Sequence, residues 1–432
     1  MADAYTTFTV MQNDAPNVYI ATRMIELANR SLVLQKAADQ FPLENRNSKT
    51  LRVVRVNRLS LPIAQLVEGV TPSTVALAMT NVDVTVEQWG IVTLLTDVVQ
   101  LTVRHPMLNI AIDRTSMVMR ELAEREDALV LMALTNVTYP GTVTARSSLA
   151  ATDVFNTALA VTMRSKLRMR GAPMFAGDMY MAFLQPPHEA ALLTSDTVFQ
   201  QASNFARVMK LEKGYIGDWM GLACVVSNFL PVFVGVAAPT TAAATATKAQ
   251  FTVGTAGTLP TSVDHRIKVV GREVTTDYER RISVESANIS VTSPGSIAIV
   301  LPTSTNYVYD IYGTTDASGS PTLRLLASRQ VAGSTFTWTT APVGTEAAAP
   351  VAPALDVPVY PGFVLGKGCL GTCVLNGMSL QSFLTPQGAS DSDPLGQRRK
   401  VGAKFMRKSF ILDNAYGELF ETSSGIAAAI PA

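Results

Sequence analysis

Cysteine, histidine and charge are all scarce in this chain, and each shortage removes a class of function. Three cysteines in 432 residues cannot build the disulfide framework of a secreted scaffold. Three histidines leave little material for a metal centre or for imidazole catalysis. Lys, Arg, Asp and Glu make up 16% of the residues, against about 25% in an average folded chain. The 35 basic and 34 acidic side chains leave a net charge of +1. That balance excludes a globally basic nucleic-acid binder but leaves room for local patches. A chain this long and this poor in charge has surface to hide, and copies of itself are the simplest cover. The opening MADAYTTFTV has an early acid, no basic run and no apolar core, so it does not read as a secretory signal. The length is a soft prior for roughly two or three domains.

Apolar residues are plentiful, at 47%. From Trp219 to Thr247 no charged residue occurs. By length alone this stretch could span a membrane. Ser227, Asn228 and Pro231 interrupt it, and β-branched and aromatic residues dominate, so it reads as two short buried strands. Synthesis and folding in the cytoplasm, with no membrane partner, are expected.

Residues 1–16 have no clear period and read as an extended arm. Residues 17–39 read as a helix, with Ile20, Met24, Leu27 and Leu34 on one face and Pro42 beyond its end. LRVVRVNRLSL (51–61) is strand-like, and NVDVTVEQW (81–89) alternates, placing Val82, Val84 and Val86 on one side. The irregular 62–80 lies between them. The whole reads as a two-stranded flap too small to stand alone. Thr102 is placed to cap a following helix, and Pro106 suits its first turn. That helix is read to about Thr135, with Leu108, Ile112, Met119, Leu122 and Leu129 as its buried stripe. At about 1.5 Å per residue it forms a rod of roughly 45 Å, long enough to be a structural spine. Residues 150–170 suggest a shorter helix with a basic end, 178–187 a buried strand, and 188–210 another helix.

AAPTTAAATATKA and APVGTEAAAPVAPAL are linker-like, and they bracket short strand candidates separated by turns. Tyr307, Tyr309 and Ile311 alternate on one face, and Trp338 is a core candidate. The segment reads as an all-β sandwich inserted in a surface loop of its host. VYPGFVLGKGCLGTCVLNG (359–377) then returns to strands, and 404–424 reads as one or two more.

Few motifs carry chemistry. Gly366, Gly368 and Gly371 match G-x-G-x-x-G, but a dinucleotide site needs a helix to follow, and TCVLNG is strand-like. Cys369 and Cys373 stand about 13 Å apart on a strand, too far for a disulfide, and no second pair completes a metal site. His105, His188 and His265 have no ligand spacing. Glu121, Glu124, Glu126 and Asp127 fit a solvated helix face beside Arg120 and Arg125. No nucleophile elbow occurs. No catalytic residue, metal or cofactor is therefore assigned, and the chain is not read as an enzyme. Three basic clusters remain: Arg46 to Arg58 along the first flap strand, Arg164 to Arg170, and Arg398, Arg399, Lys400, Lys404, Arg407 and Lys408. None is interleaved with stacking aromatics. They suit acidic faces of neighbouring subunits, or non-specific contact with phosphate.

Several blocks taken in order resemble a known family. LVLQKAADQFPLENRNSKTLRVVRVNRLSLPIAQLVEGVTP (32–72) is similar to the start of the major capsid proteins of N-four-like podoviruses, which are tailed bacteriophages. VTVEQWGIVTLLTDVVQLTVRHPML (84–108), GYIGDWMGLACVVSNFLPVF (214–233), 359–377 and 392–424 continue the resemblance. It implies an α+β chain with the HK-ninety-seven-type capsid fold. The parts implied are an N-arm and first helix (1–48), an E-loop (49–103), and a P-domain spine helix with the first part of the A-domain (104–240). An inserted immunoglobulin-like or fibronectin-like sandwich (241–342), the second part of the A-domain (343–391), and P-domain strands with the C-terminus (392–432) complete the set.

The resemblance further implies a major capsid protein that self-assembles into hexamers and pentamers of an icosahedral head. It would be built in the host cytoplasm and carried in the virion. Partners would be the portal, a separate scaffolding protein, a decoration protein and packaged double-stranded DNA. Arg52, Arg55, Arg58, Leu59, Leu61, Val82, Val84 and Val86 are assigned to E-loop contacts with a neighbour, and the 398–408 cations to subunit or DNA contact. Lysine–asparagine crosslinking, known in some relatives, has no match at the level of residues. An encapsulin-type compartment shares the implied fold, and an enzyme with a β-sandwich binding module is the remaining alternative.

Overall fold

The computed structural model describes residues 33–44, 48–56, 74–103, 107–199, 217–261, 263–291, 295–315, 322–376, 380–385 and 397–424, with isolated positions between. In chain order its elements begin with strands β1 (Ala38–Leu43), β2 (Thr50–Val56), β3 (Met79–Thr85) and β4 (Glu87–Thr96). Helices α1 (Asp97–Thr102) and α2 (Met107–Met132) come next, then β5 (Val137–Thr138), α3 (Thr157–Met169), β6 (Tyr180–Leu184) and α4 (Pro186–Ser195). Strands β7 (Asp218–Trp219), β8 (Leu222–Val226), β9 (Phe233–Val236), β10 (Gln250–Leu259), β11 (Arg266–Glu273) and β12 (Glu279–Ser283) follow. The last are β13 (Gly295–Val300), β14 (Tyr307–Thr314), β15 (Arg324–Val331), β16 (Thr335–Trp338), β17 (Pro358–Leu365), β18 (Leu370–Leu375), β19 (Gln381–Leu384), β20 (Arg398–Ile411) and β21 (Gly417–Ser423). The chain forms two compact units, Met1–Leu131 with Lys367–Asn414, and Met132–Gly366 with Ala415–Ala432.

The first unit is organised by β20. Its first half pairs with β19 on one edge and β4 on the other, and its second half pairs with β18, which carries β1 in parallel. Period-2 alternation sorts its side chains: Val401, Ala403, Phe405, Arg407 and Ser409 are buried. Ala403 and Phe405 pack against Met119 and Ala123 of α2. On the other face Phe410 and Cys373 form a core with Leu43, Val84 and Val86.

Two helix expectations change in this unit. Ile20, Met24 and Leu27 lie outside the described residues. The described end of the expected 17–39 helix is one 3-10 turn, Leu34–Ala37, followed by strand β1. Pairing with β18 and the stacking of Phe41 on Phe410, 5.8 Å between centroids, override the helical period. Pro42 is tolerated because β1 is an edge strand. Thr102 ends α1, where its hydroxyl donates to the Val98 carbonyl at 2.6 Å. The buried face of α2 is Thr115, Met119, Ala123, Glu124, Asp127, Ala128 and Leu131, and Leu129 is exposed. Of the expected stripe, Met119 is buried and Leu122 packs beside it, while small residues and two acids complete the buried face.

The larger sheet of the second unit has eleven strands among the described residues, ordered β15-β14-β11-β12-β9-β17-β6-β8-β7, with β21 beside β17 and β5 beside β21. Helix α3 covers it with Leu159, Ala160, Met163 and Leu167, against Tyr180, Ala182, Leu184, Val364 and Phe420. Asn156 caps α3 by accepting from the Leu159 amide at 2.9 Å. β6 ends just before Pro186 and Pro187, which open α4. Gly362 sits where a Cβ would come within 2.3 Å of the Phe420 ring, so β17 admits no side chain there.

The 241–342 segment contains seven strands. β10, β13 and β16 form their own sheet, and β15, β14, β11 and β12 form one end of the large one. Between these two layers lie Ile267, Val269, Ile297, Ile299, Tyr307, Tyr309, Ile311 and Trp338. The segment is continuous with the sheet and core of its host. β12 pairs in parallel with β9 of the host. Val270, Ile282, Tyr312 and Leu323 share a core with host residues Leu149, Phe233 and Val359. Residues 367–384, expected with the A-domain, pair with β20, and β21, expected with the P-domain strands, belongs to the second sheet.

Candidate interaction surfaces

The β2–β3 hairpin has a buried base and an uncovered outer end. Leu51, Val53 and Val82 pack partly on the core that holds Val84 and Val86. Val84 and Val86 are therefore anchors of the hairpin and cannot meet a neighbour as expected. Toward the tip, Val54, Val56, Val75, Leu77 and Met79 are exposed, as are Leu59 and Leu61, the latter at 74%. Arg58 and Arg46 lie outside the described residues. Arg52 donates to Asp83 across the hairpin at 2.6 and 2.7 Å, which raises its pKa above the usual guanidinium value. Arg55 pairs with Asp413. Both arginines expected to pair with a neighbour thus find partners in their own chain.

Strand alternation divides the 398–408 cluster. Arg407 is buried and donates to Asp127 of α2 and to Ser409. It is a core residue and not the surface contact the sequence suggested. Arg399 is half-buried. Arg398 and Lys400 are exposed, Lys408 pairs with Glu87 at 2.9 Å, and the Lys404 ammonium lies 4.7 Å over the Phe383 ring. On this face Gly90 and Gly402 floor a groove of ≈ 520 Å³, walled by Val92, Phe383, Lys400 and Lys404.

The acids beneath that sheet escaped the sequence reading. Glu124 accepts from the Val33 and Leu34 amides at 2.7 and 2.8 Å, so it ties the N-terminal segment to the spine helix. Burial pushes the Glu124 and Asp127 carboxyls above the usual range, with Arg407 opposing. The available signal was small Ala123 and Ala128 flanking the acids at i, i+3 spacing. The Arg164–Arg170 cluster is likewise structural in part. Arg170 donates to Glu418 at 2.6 Å, with Lys166 at 3.4 Å from the same buried carboxylate. Arg146 donates to buried Glu421 at 2.9 Å.

Among the described residues no three His, Cys, Asp or Glu side chains gather as a metal site. The Gly366–Gly371 motif leads into strand β18, so no helix terminus presents free amides to a pyrophosphate. Burial pushes Cys224 and Cys369 up to about 12 and lowers His188 to about 3, so all three are uncharged at neutral pH. His188 sits among Phe155, Tyr360 and Phe420. Among the described residues no helix is long and apolar enough to cross a membrane.

No family model matches the chain, and no curated protein does. Solved structures do match. A chain of the capsid structure of cyanophage P-SCSP1u aligns over 96% of this chain and 94% of its own, at 11% identity and a TM-score of 0.54. A chain of the capsid of Ralstonia phage GP4 aligns over 100% of both, at 11% identity and a TM-score of 0.51. The fold is that of HK-ninety-seven-type phage capsid chains, α+β and rich in strands.

Proposed function

We propose that this chain is the major capsid protein of a tailed double-stranded DNA phage, self-assembling as hexamers and pentamers into an icosahedral head. The observation that carries the reading is the correspondence of fold along the full chain with two phage capsid chains. The β2–β3 hairpin supports it, because its apolar outer end gains burial only from another molecule. The narrower resemblance, to N-four-like podoviruses, rests on the sequence blocks alone.

In this reading the hairpin is the E-loop and α2 the spine helix of the P-domain. The second unit is the A-domain, carrying an immunoglobulin-like sandwich built onto its sheet. Val54, Val56, Leu59, Leu61 and Met79 are the contacts to a neighbouring copy. Arg398 and Lys400 serve subunit contact or packaged phosphate. Interfaces around each subunit bury well above the standard ~1,600 Å². The portal, a separate scaffolding protein and a decoration protein are its further partners, and assembly takes place in the host cytoplasm. The role is structural, with no enzymatic step.

Electron microscopy of the chain co-expressed with its neighbouring genes, before and after nuclease treatment, tests the proposal. Closed particles with capsomer bumps and nuclease-protected DNA are expected. Closed particles that hold protein cargo and no DNA would favour an encapsulin-type compartment. A small uniform oligomer under every condition would overturn both.

A further inference from the structure

The first unit holds a cavity of ≈ 470 Å³. It lies among the turn at 33–36, helix α2, and the strands β18 and β20, with Leu380 at its side. Two sets of contacts place these walls. Met119 and Ala123 of α2 pack on Ala403 and Phe405 of β20. One residue further along the same helix, the Glu124 carboxylate accepts from the Val33 and Leu34 amides and so holds the turn. Met119, Ala123, Val374, Leu380, Phe405 and Met406 make the lining largely apolar. Such a lining gains burial from an apolar occupant. The volume falls within the roughly 300–1,000 Å³ of small-ligand sites, which pair apolar walls with a few placed polar groups.

The charge at this cavity is of one sign. Lys36, Arg120 and Arg407 line it, and no acid does. Arg407 is buried and already paired with Asp127. Lys36 and Arg120 are exposed, which puts them on the side open to water. Among the described residues neither meets an acid, whereas Arg125 on the same helix pairs with Glu126. In a chain of 35 basic and 34 acidic residues that is a local excess. A neutral hydrocarbon would draw nothing from the two cations, and inorganic phosphate would draw nothing from the walls. The guest that uses both is apolar along its length and negative at one end.

We propose that this cavity binds a single-chain amphiphilic anion, with its hydrocarbon tail against Met119, Leu380 and Phe405 and its head between Lys36 and Arg120. Carboxylate and phosphate heads share the chemistry that the two cations recognise. Bound there, the guest ties the 33–36 turn, α2 and β20 together within one subunit. It needs no neighbouring copy, so the inference is independent of the shell reading.

Calorimetry on the full-length chain tests this with dodecanoate and with dodecyl phosphate, both below their micelle concentrations. At least one should bind saturably at one per chain, and the tighter of the two identifies the head group. Lys36→Glu with Arg120→Glu changes only exposed positions. It should weaken that binding at least tenfold and admit dodecyltrimethylammonium instead. Val54→Asp with Met79→Asp should bind like the parent, which separates the cavity from the exposed apolar end of the hairpin. Dodecanoate carrying a diazirine at its tail end should label peptides that contain Met119, Leu380 or Phe405. No saturable binding of either anion, undiminished binding to the K36E/R120E chain, or label confined to peptides outside the cavity lining would each overturn the inference and leave the shell reading standing.

Discussion

Two excursions leave the main sheets of this molecule, and they solve the burial problem in opposite ways. The β2–β3 hairpin has two strands, packs only its base, and leaves Val54, Val56 and Met79 in solvent. The 241–342 segment has seven strands, encloses Trp338 and Tyr307 in its own core, and continues edge to edge into its host sheet. The first leaves its outer apolar end uncovered. The second is complete within the chain and has become part of the wall that carries it. On the capsid reading proposed above, the exposed tip of the hairpin is where a copy is awaited, whereas the core of the 241–342 segment is closed within the chain.

The largest test of the contrast removes residues 243–342. Because β9 loses its partner β12 and the shared core loses Val270, Ile282, Tyr312 and Leu323, the second unit should fail to fold, read as loss of soluble monomer and of cooperative melting. A soluble, cooperatively folding remnant would show that the two sheets are merely adjacent. Next in size is Asp127→Ala. It leaves Arg407 buried and unpaired by a carboxylate, and the cost in urea unfolding should be about 3–5 kcal/mol. Removing the exposed tip should do the reverse. Val54→Asp with Met79→Asp should change monomer stability by no more than about 0.5 kcal/mol yet abolish particles in the microscope. Destabilised monomer would mean the tip already packs at home.

A pH titration gives a smaller effect. The folded pKa of Glu124 is raised by burial and by Asp127, with Arg407 and the two accepted amides opposing. Its share of stability is present below the ordinary carboxylate range and is lost as pH rises through the raised folded value. Glu124→Gln keeps an acceptor for the Val33 and Leu34 amides. It should match the parent at low pH and be the more stable chain at neutral and higher pH; an equal gain at all pH values would refute the titration. Least of all, Arg52→Ala removes a pair exposed on both sides and should leave the melting temperature unchanged.

Where side-chain periods were unopposed, the sequence could be read directly. The β3 alternation, the two buried strands after Trp219 and the tyrosine face of β14 all appear in place. It failed where long-range pairing outweighed a local period. Leu34–Leu43 follows β18 and not its own helical spacing. The stripe on α2 was missed because acids were assumed to seek water, whereas Asp127 and Glu124 each meet a specific buried donor. The basic cluster was read as one patch, although its members fall on two faces of one strand. The partners of β1 and of the two acids lie far away in sequence, whereas the division of the basic cluster follows from the period of its own strand.

The fourteen-residue strand β20 also limits how this gene can change. Its inner face holds Phe405 and Arg407, and the other face holds Lys404 and Lys408. Inserting or deleting a single codon within it would exchange the faces beyond that point, driving lysines under the spine helix and phenylalanine into water. A two-codon change would restore the alternation while moving the strand one notch along β4 and β18. Length variation among descendants of this chain should therefore avoid β20 and collect in the segments that join the strands.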